Sequence, residues 1–163
     1  MKQYPKKYIP SYLSLKDAKF LKKEINKSRK LYKQKKYYVR KPVKSMKKKP
    51  SKHVTNAKKI YNVKSLVVNN QLAKKTGCSK KGLQKIVNKG KGAYFSGSRP
   101  GQTPSSWGYA RLGSAITGQK SSAVDFNILD KYCNHKTSKA YKLALKGKKI
   151  FKKGTRKVPK RKI

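Results

Sequence analysis

Four carboxylates stand against 47 lysines and arginines in this chain, and that imbalance limits what it can fold into more than any other feature. Asp17, Glu24, Asp125 and Asp130 can neutralise only a few basic side chains, so a net charge of +43 must be carried on the outside. Such a density repels itself and is relieved by a polyanion or by acidic partners. Hydrophobic residues make up 35% of the chain, below the roughly 45–50% of ordinary globular domains. A sizeable core therefore cannot run through all 163 residues.

Three polyanions fit the charge. Nucleic acid is the first, because neutralised phosphates release condensed counterions. An anionic membrane surface is the second, and an acidic protein lattice the third. The basic residues are 41 Lys and only six Arg. Lysine is a hydrated point charge, whereas arginine suits bidentate and stacked contacts. The ratio points to bulk neutralisation more than to sequence reading. No signal peptide is visible, and no apolar run approaches the roughly 20 residues that span a bilayer. Cys78 and Cys133 lie 55 residues apart and form no disulfide framework, so free thiols in a reducing compartment are expected.

The charge is unevenly spread. Residues 1–52 hold 20 Lys/Arg and two acids; residues 53–89 hold nine and none. Residues 90–135 hold five and two, and residues 136–163 hold 13 and none. This predicts a mainly α protein: a small helical domain with a long basic N-terminal arm and a polybasic C-terminal tail. The arm (1–52) should carry one amphipathic helix over about 15–34, opened by Ser14 and Asp17 as a capping box. Leu21, Ile25, Ser28 and Tyr32 would form its narrow stripe, followed by an extended basic linker. The helical domain (53–146) should begin with a short helix from about Ser51 to Tyr61 that turns Val54, Ala57, Ile60 and Tyr61 inward. The tail (147–163) contains VPKRK, which resembles a nuclear-localisation patch.

The stretch NNQLAKKTGCSKKGLQKIVNKG has the outline of a helix-turn-helix. A helix from Asn70 to Thr76 would stop at Gly77, and Ser79 would cap a second one ending before Gly90. Leu72, Ala73, Cys78, Leu83 and Ile86 fall at core spacing, although Thr76 sits where an apolar residue is usual. Lys80, Lys81, Gln84, Lys85 and Asn88 would line the outer face, with Gln84 and Asn88 able to reach base edges in a major groove. A purely structural helical hairpin with basic outer faces gives the same outline.

Residues 90–118, GKGAYFSGSRPGQTPSSWGYARLGSAITG, are a nearly neutral island holding the only Trp and seven of the eleven glycines. The segment lacks the phosphate-loop pattern G-x-x-x-x-G-K-[ST]. Thr103 and Pro104 instead open a helix, with Pro at its first position, and Gly118 stops it. Arg99 and Thr103 form a candidate anion-binding loop ahead of that helix. Trp107, Leu112, Ile116, Phe126 and Leu129 are the expected structural core. Ser122 with Asp125 resembles a second capping box, opening the apolar AVDFNILDKYC. A last helix should run from about Ser138 to Lys146 and end at Gly147.

No catalytic residues, metal site or cofactor are assigned. Cys133 and His135 are the one close pair of soft ligands, and standard zinc spacing is absent. Tyrosines interleave with lysines along the arm. Base stacking is one use of such a pattern, and assembly contacts at a wet interface are another, here the favoured one.

From YIPSYLSLKDAKF to AVDFNILDKYC, about residues 8–135, the sequence resembles a lysine-rich protein family of large DNA viruses, phycodnavirus-like and giant. GAYFSGSRPGQTPSSWGYARLGSAITG is the most specific block. The resemblance transfers no catalytic residues. It implies a non-enzymatic structural protein of a virion, of the minor-capsid or capsid-underlying type, made inside the infected cell before assembly. Its partners would be viral capsid proteins together with nucleic acid or an anionic membrane surface, and no small-molecule substrate. The alternative is a DNA-binding or condensing protein using the helix-turn-helix-like face.

Overall fold

Helices of the chain begin after Ser14, Asn69, Ser79 and Ser138, where each of these side chains accepts from a backbone N–H three residues on. A computed structural model describes residues 3–47, 51–96, 101–152 and 160–163. Among the described residues there are eight helices and one two-stranded sheet. In order these are β1 (Gln3–Pro5), α1 (Leu15–Lys33), α2 (Lys52–Tyr61), α3 (Asn70–Thr76) and α4 (Lys80–Phe95). Then follow α5 (Pro104–Ile116), α6 (Lys120–Val124), α7 (Phe126–Tyr132), α8 (Lys139–Phe151) and β2 (Lys160–Lys162). The mainly α expectation holds.

The division into arm, domain and tail does not match the structure. The chain forms two units with interleaved segments: Met1–Lys49, Lys91–Pro104 and Arg156–Ile163 in the first, Pro50–Gly90 and Ser105–Thr155 in the second. In the first unit, the arm is folded on a core of its own. Leu21 and Ile25 of α1 pack with Tyr4, Ile9, Leu13, Ala18, Val43 and Ile163. Leu21 and Ile25 of the α1 stripe are covered by the segments before and after it in sequence, whereas Tyr32, expected on the same stripe, is exposed. Burying each Leu or Ile stabilises by roughly 1.5–3 kcal/mol, so this cover accounts for a folded rather than extended arm. Ser14 accepts from the Asp17 backbone N–H at 3.2 Å. The Asp17 carboxylate accepts from Ser45 instead of closing a capping box.

The tail is likewise not free at its end. β2 pairs antiparallel with β1, Gln3 opposite Lys162 and Pro5 opposite Lys160. Arg161 donates to the carbonyls of Pro10 and Leu13 at 2.7 and 3.2 Å.

The second unit surrounds a core of Ala57, Tyr61, Leu72, Leu83, Ile86, Leu112, Ile116, Leu129 and their neighbours. Ile60, expected inside, is exposed. Of the expected core, Leu112, Ile116 and Leu129 are buried, whereas Phe126 packs on the periphery and Trp107 is half-buried outside it. Two further corrections concern glycine. α4 runs through Gly90 and α8 through Gly147. A Cβ on Gly90 would sit 2.6 Å from the Gly108 Cα, and one on Gly147 would sit 2.6 Å from the Gly118 carbonyl oxygen. Both glycines allow close backbone approach and neither stops a helix. The apolar AVDFNILDKYC breaks at Asp125 into α6 and α7, leaving Val124 exposed. The Asp125 side chain makes no cap bond; it is drawn to Arg111.

Candidate nucleic-acid interface

The turn between α3 and α4 is short because every residue in it has a local reason to bend. Asn69 opens α3 by accepting from the Leu72 N–H at 2.8 Å. Gly77 closes it in the left-handed region, φ +74°, which L side chains rarely adopt. A Cβ there would also stand 2.6 Å from the Ser138 Cα. Ser79 then accepts from the Gly82 N–H at 3.2 Å. Thr76, anomalous in the sequence, is fully buried and donates its hydroxyl to the Leu72 carbonyl at 2.8 Å. Its polar atom is satisfied within its own helix, so the site tolerates it.

The turn is also clamped, in a way the sequence did not suggest. Cys78 and Cys133 form a disulfide, which corrects the expectation of free thiols. Backbone bonds flank it on both sides, Ser79 N–H to the Tyr132 carbonyl at 2.9 Å and Asn134 N–H to the Gly77 carbonyl at 2.8 Å. A separation of 55 residues carries no trace of this pairing, which depends on the loop after α7 returning to the α3–α4 turn. Joined in this way, neither sulfur is available as a thiolate ligand.

The first eleven residues of α4 divide cleanly into two faces. Gly82, Leu83, Ile86, Val87 and Gly90 are buried; Lys80, Lys81, Lys85, Asn88 and Lys89 are exposed, and Gln84 is half-buried. At 100° per residue, Lys81, Gln84, Lys85 and Asn88 occupy one arc opposite the core. Four of the five residues expected to form one face are therefore brought together, and Lys80, also exposed, lies at its edge. Gln84 donates to the Asn88 Oδ1 at 2.9 Å. That leaves the Gln84 carbonyl as an acceptor and the Asn88 amide as a donor, the complement of an adenine edge.

The field on this face is strongly positive. Lys85 donates to the Tyr132 hydroxyl and, with Lys131 and Lys81, holds it below the usual tyrosine value. The Lys85 ammonium also stands 5.1 Å from the Tyr132 ring centroid. Among the described residues, carboxylates reach Lys89, Arg111 and His135 but not Lys80, Lys81 or Lys85. Sequence reasoning missed Tyr132 and Lys131, which lie in a stretch that read as buried helix. Their approach to α4 is made possible by Gly82, where a Cβ would meet the Tyr132 Cβ, and the sequence alone does not show it.

Arg99 lies outside the described residues, and Thr103 is exposed immediately before α5.

No curated protein and no solved structure matches the chain. A model of one family, described as a family of unknown function (DUF5824), matches residues 5–131 and so takes in α1 to α4, the clamped turn and all but the last residue of α7. With more than three quarters of its length inside that match, the chain belongs to the family of unknown function DUF5824.

Proposed function

We propose that this protein is a non-enzymatic, lysine-rich protein that binds duplex DNA through the outer face of α4. The observation that carries the reading is the arc of Lys81, Gln84, Lys85 and Asn88, whose two lysines are exposed and, among the described residues, form no ion pair with a carboxylate. A seven-residue helix, a three-residue turn with a left-handed glycine, and a second helix with a basic outer face is the layout by which helix-turn-helix proteins enter a major groove. Lys80, Lys81 and Lys85 would contact phosphates, and Gln84 with Asn88 would reach base edges.

The test is binding of the full chain to duplex DNA across a salt series. Each phosphate-contacting lysine contributes about 0.9 to the slope of log affinity against log salt. Lys81→Gln and Lys85→Gln should each lower that slope by about one, uniformly over sequences. Gln84→Ala with Asn88→Ala should change the preferred sequence. Loss of affinity with no change in preference would reduce α4 to a nonspecific electrostatic surface.

A second reading is a structural component of a large DNA virus particle, lining the capsid and bridging it to genome or membrane. Its support is the resemblance of the GAYFSGSRPGQTPSSWGYARLGSAITG block, together with 41 lysines to six arginines, far more charge than one groove contact uses. Fractionation of purified particles into shell and genome core decides between the two locations. Absence from the shell removes the second reading.

A further inference from the structure

We propose that Tyr32, Tyr37 and Phe95 form a stacking platform for the bases of single-stranded nucleic acid. All three belong to the first unit, and Phe95 closes α4 beyond the Lys81–Asn88 stretch that carries duplex binding, so the inference goes beyond that reading.

Tyr37 is the most exposed aromatic side chain among the described residues, at 69% of its full surface, and Tyr32 is exposed at 37%. Two tyrosines this open are not there to fill a core. Yet they are held firmly. α1 ends in a reversal: Gln34 and Lys36 both return their N–H groups to the Leu31 carbonyl, at 3.0 and 2.9 Å. Lys35 takes the left-handed φ of +58° that this reversal demands. The chain is thereby turned so that the Tyr37 ring comes back to Tyr32, with centroids 6.2 Å apart. Phe95 completes the group, 5.1 Å from Tyr37 and 6.3 Å from Tyr32, its plane within 20° of the Tyr32 ring.

Phe95 is itself anchored. Its carbonyl accepts from Ser28 at 2.9 Å, and its ring meets the edge of the buried Tyr94 at 5.3 Å. The Arg40 guanidinium lies 4.0 Å from the Tyr94 ring on which this arrangement rests. Rings held by their neighbours lose little freedom when a further flat group stacks on them.

The surrounding charge names the occupant. Residues 29–40, RKLYKQKKYYVR, hold six basic side chains and no acid. Lys30, Lys33, Lys35 and Lys36 are exposed. The nearest carboxylate in sequence, Glu24, is buried and already accepts from the Tyr38 hydroxyl and the Lys41 N–H. A nucleotide brings a flat apolar face and a negative charge, the two things this surface can receive. A duplex hides its base faces in the helical stack, and an acidic protein surface would use the lysines but not the rings. The strand that fits is an unpaired one.

The experiment compares three fluorescein-labelled probes on the full chain at one moderate salt concentration. They are oligo(dT), an abasic deoxyribose-phosphate strand of equal length, and duplex DNA. The wild type should bind oligo(dT) more tightly than the abasic strand. Tyr37→Ala should weaken oligo(dT) about 5- to 100-fold, the range for losing one stacked base. It should leave the abasic strand and the duplex unchanged, and Tyr37→Phe should retain wild-type affinity. The ring is exposed, so the urea midpoint of each variant should match wild type. Unchanged oligo(dT) binding in Tyr37→Ala overturns the proposal, and so does an equal loss on all three probes. Failure here leaves duplex binding by α4 standing, and loss of duplex binding in the α4 variants leaves this platform standing.

Discussion

Arg111 donates two hydrogen bonds to the wholly buried carboxylate of Asp125, Nε to one oxygen at 2.7 Å and Nη2 to the other at 2.8 Å. Lys89 adds a second positive group at 3.6 Å. Removing one member of such a pair strands a charge in the interior and costs about 3–5 kcal/mol. Arg111→Met is therefore expected to lower stability by that amount in urea unfolding followed by Trp107 fluorescence. Arg111→Met combined with Asp125→Leu should be more stable than Arg111→Met alone, because no charge is left unpaired.

Reduction of the Cys78–Cys133 disulfide opens a loop of 55 residues and unclamps the α3–α4 turn. A link of that length contributes about 2–4 kcal/mol. Dithiothreitol should lower the urea midpoint of the wild type accordingly. A Cys78→Ala, Cys133→Ala variant should start from the lower midpoint and show no response to reductant.

Gly90→Ala sets two effects against each other. Alanine gains roughly 1 kcal/mol of helix propensity over glycine inside α4. The new methyl group would meet the Gly108 Cα at 2.6 Å, a backbone atom that cannot swing aside. Overpacking typically costs about 1–3 kcal/mol, so the expected outcome is a net loss in thermal unfolding. A gain would mean that the two backbones lie further apart than described.

Tyr132 reports on the charge of the α4 face. Lys85, Lys131 and Lys81 favour its anion, so its hydroxyl ionises below the ordinary tyrosine value of 10.0. A difference titration of wild type against Tyr132→Phe at 295 nm isolates it from the other ten tyrosines. Lys85→Gln should move the transition upward. Bound duplex DNA should do the same, because phosphates cancel the field that depresses it.

Most helix starts were legible because they depend on neighbours in sequence; the Ser122–Asp125 box was not, since α6 begins at Lys120 behind Gln119. Ser14, Ser79 and Ser138 each accept from an N–H three residues on, and Pro104 opens α5. Helix ends were legible only in part. Gly77 and Gly118 take a left-handed φ of +74° and terminate, as read. Gly90 and Gly147 look the same on paper, but their role is set by backbones elsewhere in the second unit. The α4 face was readable for the same local reason as the caps, since one helix fixes which residues share an arc. Cys78 with Cys133 and Asp125 with Arg111 were not, because each pairing is decided by how separate segments meet. The arm misled through its charge: lysines hide how few apolar residues suffice when Tyr4, Ile9, Leu13 and Val43 all turn onto one helix.

The interleaving of the two units has a consequence for how the protein can be taken apart. The first unit draws on three stretches of chain and the second on two, in alternation. No single peptide-bond cleavage can release one unit from the other, and no contiguous fragment contains the whole of the first without the second. Neither could be lost, borrowed or fused to another protein by one simple deletion or exon-like exchange. During synthesis, β1 must also wait for β2, its partner some 150 residues later, before their pairing can form. Helix α4 and the proposed stacking platform are thus made and inherited as one piece.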